Sequence, residues 1–259
     1  MTEEIEIPPS FPRAADVAGK RVVITGAGRG LGRLLAHAFS MSGASVVLVS
    51  RTEADLKAVA DELPGESLVM SGDVTDADFN EAVADAALQA WGGLDVWLCN
   101  AGISPVVGGP RDIEPAMSRN ILEVNLTGSF LGARAAAGVM TEGGRVIFTG
   151  SVLGERPRAG LAAYSASKAG LVALAKSLAL DLAPTGITVN VVAPGWFDSP
   201  LATTWKQSPK LSEMVLGHTA QRRWGAAIDL PGAYLYLASE ASAFVTGTVL
   251  TVDGGYLLV

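Results

Sequence analysis

With 259 residues, 49% of them hydrophobic and 17% charged, the chain can bury the core of a single domain and is too apolar and too weakly charged to be disordered. Its 19 basic and 26 acidic residues leave a net charge of −7, which disfavours general attraction to nucleic acid or an anionic bilayer, so any anion site has to be built locally. One cysteine, Cys99, excludes an internal disulfide and a multi-cysteine metal site, and two distant histidines, His37 and His218, lack ligand spacing, so no metal is expected.

Residues 1–18 carry Glu3, Glu4 and Glu6 and then Pro8, Pro9 and Pro12, the reverse of a basic and then apolar leader. They read as a polar extension ahead of one domain over 19–259, in a cytoplasmic protein. Seven runs rich in Val, Ile and Leu then read as strands: Arg21 to Thr25, Ser45 to Ser50, Ser67 to Ser71, Leu94 to Cys99, Arg145 to Thr149, Ile187 to Val192 and Thr248 to Val252. Most are continuously apolar, as in a sheet covered on both faces. Helical patterns fall between them near 31–43, 53–62, 76–91, 115–140, 160–183 and 227–239. Strict alternation predicts an α/β fold, a doubly wound parallel sheet of about seven strands with helices on both faces and right-handed crossovers. The most apolar helical stretch, Ala169 to Ala183, contains Lys176 and Asp181 and falls short of the roughly 20 residues a membrane span needs. Residues 196–225 fit no element and are expected to form a lid.

In such a sheet the ligand crevice lies beyond the carboxyl ends of the strands, where the strand order reverses. Thr25-Gly26-Ala27-Gly28-Arg29-Gly30-Leu31-Gly32 follows the first strand and opens a helix, so its glycines permit a tight turn and the helix N-terminus offers N–H groups to a pyrophosphate. No Lys-Ser or Lys-Thr follows the glycines, which disfavours a P-loop. The second strand ends in Ser50-Arg51, without the carboxylate that would accept from an NAD ribose. Arg29 and Arg51 are instead placed to hold a 2′-phosphate, and the nearest acid, Glu53, stands at the start of a helix, a routine place for one, so NADP(H) is expected over NAD(H). Asp73, followed by Val74, is placed to accept from the adenine amino group. Asn100-Ala101-Gly102 and Pro194-Gly195 close the other strand ends.

Tyr164 and Lys168 lie four residues apart in a helical pattern, so their heads converge on one face, and Ser151 follows the preceding strand by two residues. Here the chain resembles the short-chain dehydrogenase/reductase family in its compact, Rossmann-like single-domain branch. The resemblance rests on Thr25-Gly-x-x-x-Gly-x-Gly32, Asn100-Ala-Gly, Asn125, Ser151, Tyr164-x-x-x-Lys168, Pro194-Gly195 and Asp253-Gly-Gly, over roughly residues 20–256. It implies that Tyr164 is the general acid/base, Ser151 polarises the substrate carbonyl, Lys168 binds the nicotinamide ribose and Asn125 orders a water in a proton relay. It also implies that Phe197 and Ser199 contact the nicotinamide. A lysine ammonium beside the phenol is expected to lower the tyrosine pKa.

The expected reaction is hydride transfer between NADP(H) and a small carbonyl or secondary alcohol: a ketone reductase, 3-oxoacyl thioester reductase or polyol dehydrogenase. An epimerase or dehydratase of the same family and a non-catalytic NADP-binding sensor are the alternatives. Substrate choice is expected from 104–109, 153–158 and the lid. The apolar tail Tyr256-Leu257-Leu258-Val259 suggests an interface, and relatives of this type imply a homotetramer or homodimer.

Overall fold

The computed structural model describes residues 15–104, 107–198 and 206–259. Seven parallel strands form one sheet: β1 (Arg21–Thr25), β2 (Ser45–Ser50), β3 (Ser67–Ser71), β4 (Val96–Cys99), β5 (Arg145–Thr149), β6 (Thr188–Pro194) and β7 (Val249–Val252), in the order β3-β2-β1-β4-β5-β6-β7. The order reverses between β1 and β4, which puts the crevice above their carboxyl ends. Between the strands run α1 (Gly30–Met41), α2 (Glu53–Glu62), α3 (Ala77–Trp91), α4 (Pro115–Leu122), α5 (Gly128–Val139), α6 (Ala162–Leu182), α7 (Pro209–Gly217) and α8 (Pro231–Ala238).

Both sheet faces are covered, which is why β1, β4 and β5 carry runs of consecutive apolar residues, Val22–Ile24, Val96–Cys99 and Val146–Phe148, rather than alternating ones. On one face Leu35 and Phe39 of α1, Leu56 and Val59 of α2 and Leu237 of α8 meet Val22, Ile24, Val46 and Leu48. On the other, Val83 and Ala87 of α3, Ala133 and Ala136 of α5 and the stripe Leu171, Ala175 and Ala179 of α6 meet Val23, Val47, Trp97 and Phe148. Each large buried aliphatic side chain contributes roughly 1.5–3 kcal/mol. Helix ends follow local chemistry. Asp76 caps α3 by accepting from the N–H groups of Asp78 and Phe79 at 2.9 and 3.3 Å, and Gly92, at φ 75°, ends it in the left-handed region.

Four departures from the expected elements have physical causes. The fourth strand starts at Val96 rather than Leu94, because the Asp95 carboxylate is drawn to Arg21, accepting from its backbone N–H and its guanidinium at 2.7–2.8 Å. The sixth runs on to Pro194, since Pro194 pairs with Val252 of β7. The long helix expected at 115–140 is interrupted by a π turn over Glu123–Thr127, where the Gly128 N–H donates to Glu123 O five residues back. The expected lid contains α7, whose start is fixed by Pro209 at its first turn. Val17 is already buried among the side chains of α1 and its neighbours, so packed structure begins ahead of residue 19. Among the described residues no helix is long and apolar enough to cross a membrane, and no cluster of His, Cys, Asp or Glu could hold a metal ion.

Candidate active site

A cleft of about 770 Å³ opens over the carboxyl ends of β1, β2, β4, β5 and β6, and it gathers most of the residues expected there. At one end lie Gly26, Arg29, Gly30, Leu31, Gly32, Ser50, Arg51, Asp73 and Val74; toward the other lie Asn100, Ala101, Gly102, Ser151, Tyr164, Lys168, Pro194, Gly195 and Phe197. Ser199 lies outside the described residues, as do 105–106 of the expected substrate loop. Asn125 lies behind the cleft wall, fully buried.

The glycine turn is shaped by contact. A Cβ on Gly32 would stand 2.0 Å from Gly26 O and 2.8 Å from the Asn100 amide, and Gly26 sits at φ 70° with the Ala101 backbone 2.9 Å from where its Cβ would be. The turn therefore closes on itself and on the β4 end, leaving a side-chain-free cradle. No side chain caps α1, so the N–H groups of its first turn face the cleft. This cradle fits the pyrophosphate of a dinucleotide. Arg29 and Arg51 are exposed at its rim and form no ion pair among the described residues. Asp73 accepts from both the N–H and the hydroxyl of Thr75 through Oδ1, at 3.0 and 2.9 Å. It thus shapes the β3–α3 turn while lining the cleft, and the α3 cap falls to Asp76.

Beneath the cradle, Thr25 Oγ1 accepts from the N–H groups of Asn100 and Ala101 at 3.0 Å, and the Asn100 amide donates to Thr25 O at 2.9 Å. Asn100 Oδ1 accepts from Thr149 Oγ1 at 3.3 Å, and the Tyr234 hydroxyl lies 2.9 Å from that same Oγ1. Sequence reasoning passed over Tyr234 and Thr149. Inside the apolar run Ala233-Tyr-Leu-Tyr-Leu-Ala238 a tyrosine reads as core, and only the fold reveals its buried partner.

At the reacting end, the Ser151 hydroxyl accepts from the Leu153 N–H at 3.1 Å, which leaves its proton free to donate. Burial raises the Tyr164 pKa, and the nearby Ser151 hydroxyl pulls it partly back. Lys168 Nζ lies 5.7 Å from the Tyr164 ring centre and donates to Thr149 O at 2.7 Å. Burial lowers its pKa to about 8. The direction at Tyr164 is opposite to the lowering expected from Lys168, because loss of solvent outweighs other influences on the phenol. A phenol that stays protonated at neutral pH is the form suited to delivering a proton.

Asn125 sits within the π turn, a distortion frequent at functional sites. Its Oδ1 accepts from the Ile103 N–H at 2.7 Å, and its amide donates to Ile103 O and Ser167 Oγ, each at 3.0 Å. Ser167 donates in turn to Tyr164 O at 2.7 Å. Through these bonds the Asn125 side chain ties the Gly102–Ile103 loop to the helix carrying Tyr164. An acidic cleft residue also escaped the sequence reading: Asp55, in the first turn of α2, lines the end of the cleft that holds Arg29 and Arg51, although the strand end itself carries no carboxylate. On the other side, Ile103, Val107, Leu153, Leu161 and Trp196 form apolar walls.

A family model described as enoyl-(acyl carrier protein) reductase matches residues 26–257. The chain is a short-chain dehydrogenase/reductase. Glucose 1-dehydrogenase of Gluconobacter oxydans is 36% identical, over 93% of this chain and 93% of its own. The 3-oxoacyl-[acyl-carrier-protein] reductase of Escherichia coli is 34% identical, over 93% and 98%. The structure of a short-chain dehydrogenase from Burkholderia cenocepacia in complex with NADP superposes with a TM-score of 0.86 at 32% identity, covering 93% of this chain and 99% of that one. Like its relatives, this short-chain dehydrogenase/reductase is an oxidoreductase acting on CH–OH donors with NAD(P)+ as acceptor.

The pKa shift at Lys168 has a measurable consequence with opposite signs for activity and stability. Its folded value of about 8 lies below the ordinary lysine value of 10.5. Between those pH values the unfolded chain holds the lysine proton more fully than the folded one, so the contribution of Lys168 to stability rises with pH, by about 3 kcal/mol at most across the window. Below pH 8 its burial penalty is fully present, and above about pH 9 the buried Cys99 thiol, pushed up by burial, works in the opposite direction. Carbonyl reduction should fall over the same range as the ammonium is lost. Urea unfolding and kcat/KM measured from pH 7 to 10 check this, with Lys168→Met as the control in which the stability rise disappears.

Proposed function

We propose that this short-chain dehydrogenase/reductase is an NADPH-dependent reductase of small ketones on aliphatic or alicyclic skeletons. The observation that carries the reading is the convergence of Ser151, Tyr164 and Lys168 on one cleft that also holds the glycine cradle. When bound, the nicotinamide supplies the hydride. Ser151 donates a hydrogen bond to the carbonyl oxygen and steadies the developing negative charge, and Tyr164 gives that oxygen its proton. Lys168, held from behind by Thr149 O, keeps a positive charge beside the phenol and the ribose hydroxyls. Asn125 acts as a positioning residue through Ile103 and Ser167. Phe197, buried at the foot of the expected lid and paired with Gly225, supports the nicotinamide end, with Ser199 its expected neighbour.

Apolar walls at Ile103, Val107, Leu153, Leu161 and Trp196 favour an alicyclic or aliphatic skeleton over a free sugar. Arg29 and Arg51 favour a 2′-phosphate at the adenosine end. A cytoplasmic setting supplies that cofactor and suits the lone thiol. Copies of the chain associate as a homotetramer in this reading, supported by exposed apolar side chains: Leu122, Phe130 and Leu180 on α4, α5 and α6, and Ile228, Phe244 and Leu258 in the C-terminal part of the chain.

The test is NADPH oxidation followed at about 340 nm against cyclic ketones, aldoses and 3-oxoacyl thioesters, repeated with NADH. The expected result is highest kcat/KM with a cyclic ketone and at least about a tenfold preference for NADPH, equivalent to roughly 1.4 kcal/mol. Equal kcat/KM with both cofactors would contradict the cofactor reading. Conversion of an alcohol substrate without net change in absorbance would favour an epimerase or dehydratase.

A further inference from the structure

We propose that Asp55 sets the limit on discrimination between the two dinucleotides, by placing a carboxylate against the same ribose corner that Arg29 and Arg51 make attractive to phosphate. The inference rests on the dinucleotide reading of the cleft and adds to it a residue that opposes the expected preference.

The geometry is specific to one side of the glycine turn. A Cβ built on Gly28 would lie 3.0 Å from Asp55 Cβ, 3.1 Å from Ser50 Oγ and 3.8 Å from Asp55 Oδ2. Asp55 and the strand-end hydroxyl of Ser50 therefore share the flank of the turn, and Gly28, Ser50, Arg51, Thr52 and Asp55 line the cleft together. The other acid of that helix turn is engaged elsewhere: Glu53 pairs with Lys57 at 2.8 Å. Asp55 forms no ion pair among the described residues. Its carboxylate faces a site where a ribose hydroxyl would donate to it and where a phosphate would be repelled.

Two cations and one anion at a solvent-exposed corner produce a graded preference rather than an absolute one. At separations near 5 Å in a medium close to water, one like-charge contact corresponds to about a three- to tenfold change in affinity. Salt screens it, because the group is exposed.

The test uses Asp55→Asn, which keeps shape and removes charge, with binding followed by calorimetry. Adenosine 2′,5′-bisphosphate and AMP serve as probes of the corner, independent of turnover. The substitution is expected to tighten the bisphosphate by about three- to tenfold. AMP, which loses a charged acceptor for its ribose hydroxyl, is not tightened. The gain should shrink when NaCl is raised to about 0.5 M, and the NADPH-to-NADH ratio of kcat/KM should rise in parallel. An unchanged ratio of bisphosphate to AMP affinity, or a gain that persists in high salt, would overturn the proposal. The two claims separate cleanly: the NADPH reading fails on the wild-type cofactor ratio, whereas this proposal fails on the change produced by the substitution.

Discussion

Replacing Tyr164 by Phe should lower kcat for carbonyl reduction by roughly 10³-fold, within the range that a positioned proton donor supplies, while NADPH still binds with near-normal affinity. The phenol ring is packed against the cleft beside Leu153, Leu161 and Trp196, so the substitution keeps the wall and removes only the hydroxyl. What disappears is the proton that has to reach the oxygen as hydride arrives. In the proposed mechanism Ser151 has one proton to donate and uses it as a hydrogen-bond donor to the same oxygen, so it cannot also take over the transfer. The measurement is steady-state kcat alongside a fluorescence titration with NADPH. A variant retaining more than about a tenth of wild-type kcat would remove Tyr164 from the role.

Gly32→Ala is the second substitution with a large expected effect, and it acts through the backbone. The added carbon would sit 2.0 Å from Gly26 O, a main-chain atom that moves only if the whole turn opens, and 2.8 Å from the Asn100 amide. Opening the turn loses the approach of Gly26 to Ala101 and breaks the Asn100-to-Thr25 bonds that floor the cradle. Stability should drop by about 3 kcal/mol, at the upper end for overpacking, and NADPH affinity by at least about 100-fold. Chemical denaturation and equilibrium titration read the two effects separately. Wild-type affinity would mean that the cradle tolerates a side chain, and the cofactor assignment at this turn would then be wrong.

Much of the fold was legible because apolar runs and glycine turns alternate so regularly. Arg21–Thr25, Ser45–Ser50, Ser67–Ser71 and Arg145–Thr149 appear as strands with the expected bounds. The π turn at Asn125 was not legible, since apolar spacing continues through it and one extra residue in a turn leaves no mark on composition. The helix Pro209–Gly217 was hidden by its mixed makeup, in which Lys210 and Glu213 interrupt a short apolar face.

The site divides in the same way. That Tyr164, Lys168 and Ser151 converge could be read from spacing and strand-end position, because helical period and strand ends translate directly into space, while their roles came from the resemblance to the family. Asp55 could not, because an acid in a first helical turn is an ordinary partner for the helix dipole; only the fold of the β2–α2 turn brings it against Gly28. Tyr234 was silent for the opposite reason, standing among apolar neighbours. The direction of the Tyr164 pKa depended on how far the phenol is withdrawn from water, which no local sequence pattern reports.

The most direct test of the central claim follows a single atom. NADPH deuterated on one or the other face of the nicotinamide C4 carbon is incubated with a ketone that the enzyme turns over, and the alcohol is analysed by mass spectrometry and NMR. Transfer of deuterium to the carbinol carbon from one face only is the predicted result. A carbinol hydrogen drawn from water, or label delivered equally from both faces, would contradict an active site in which Ser151, Tyr164 and Lys168 hold one carbonyl against one face of the cofactor.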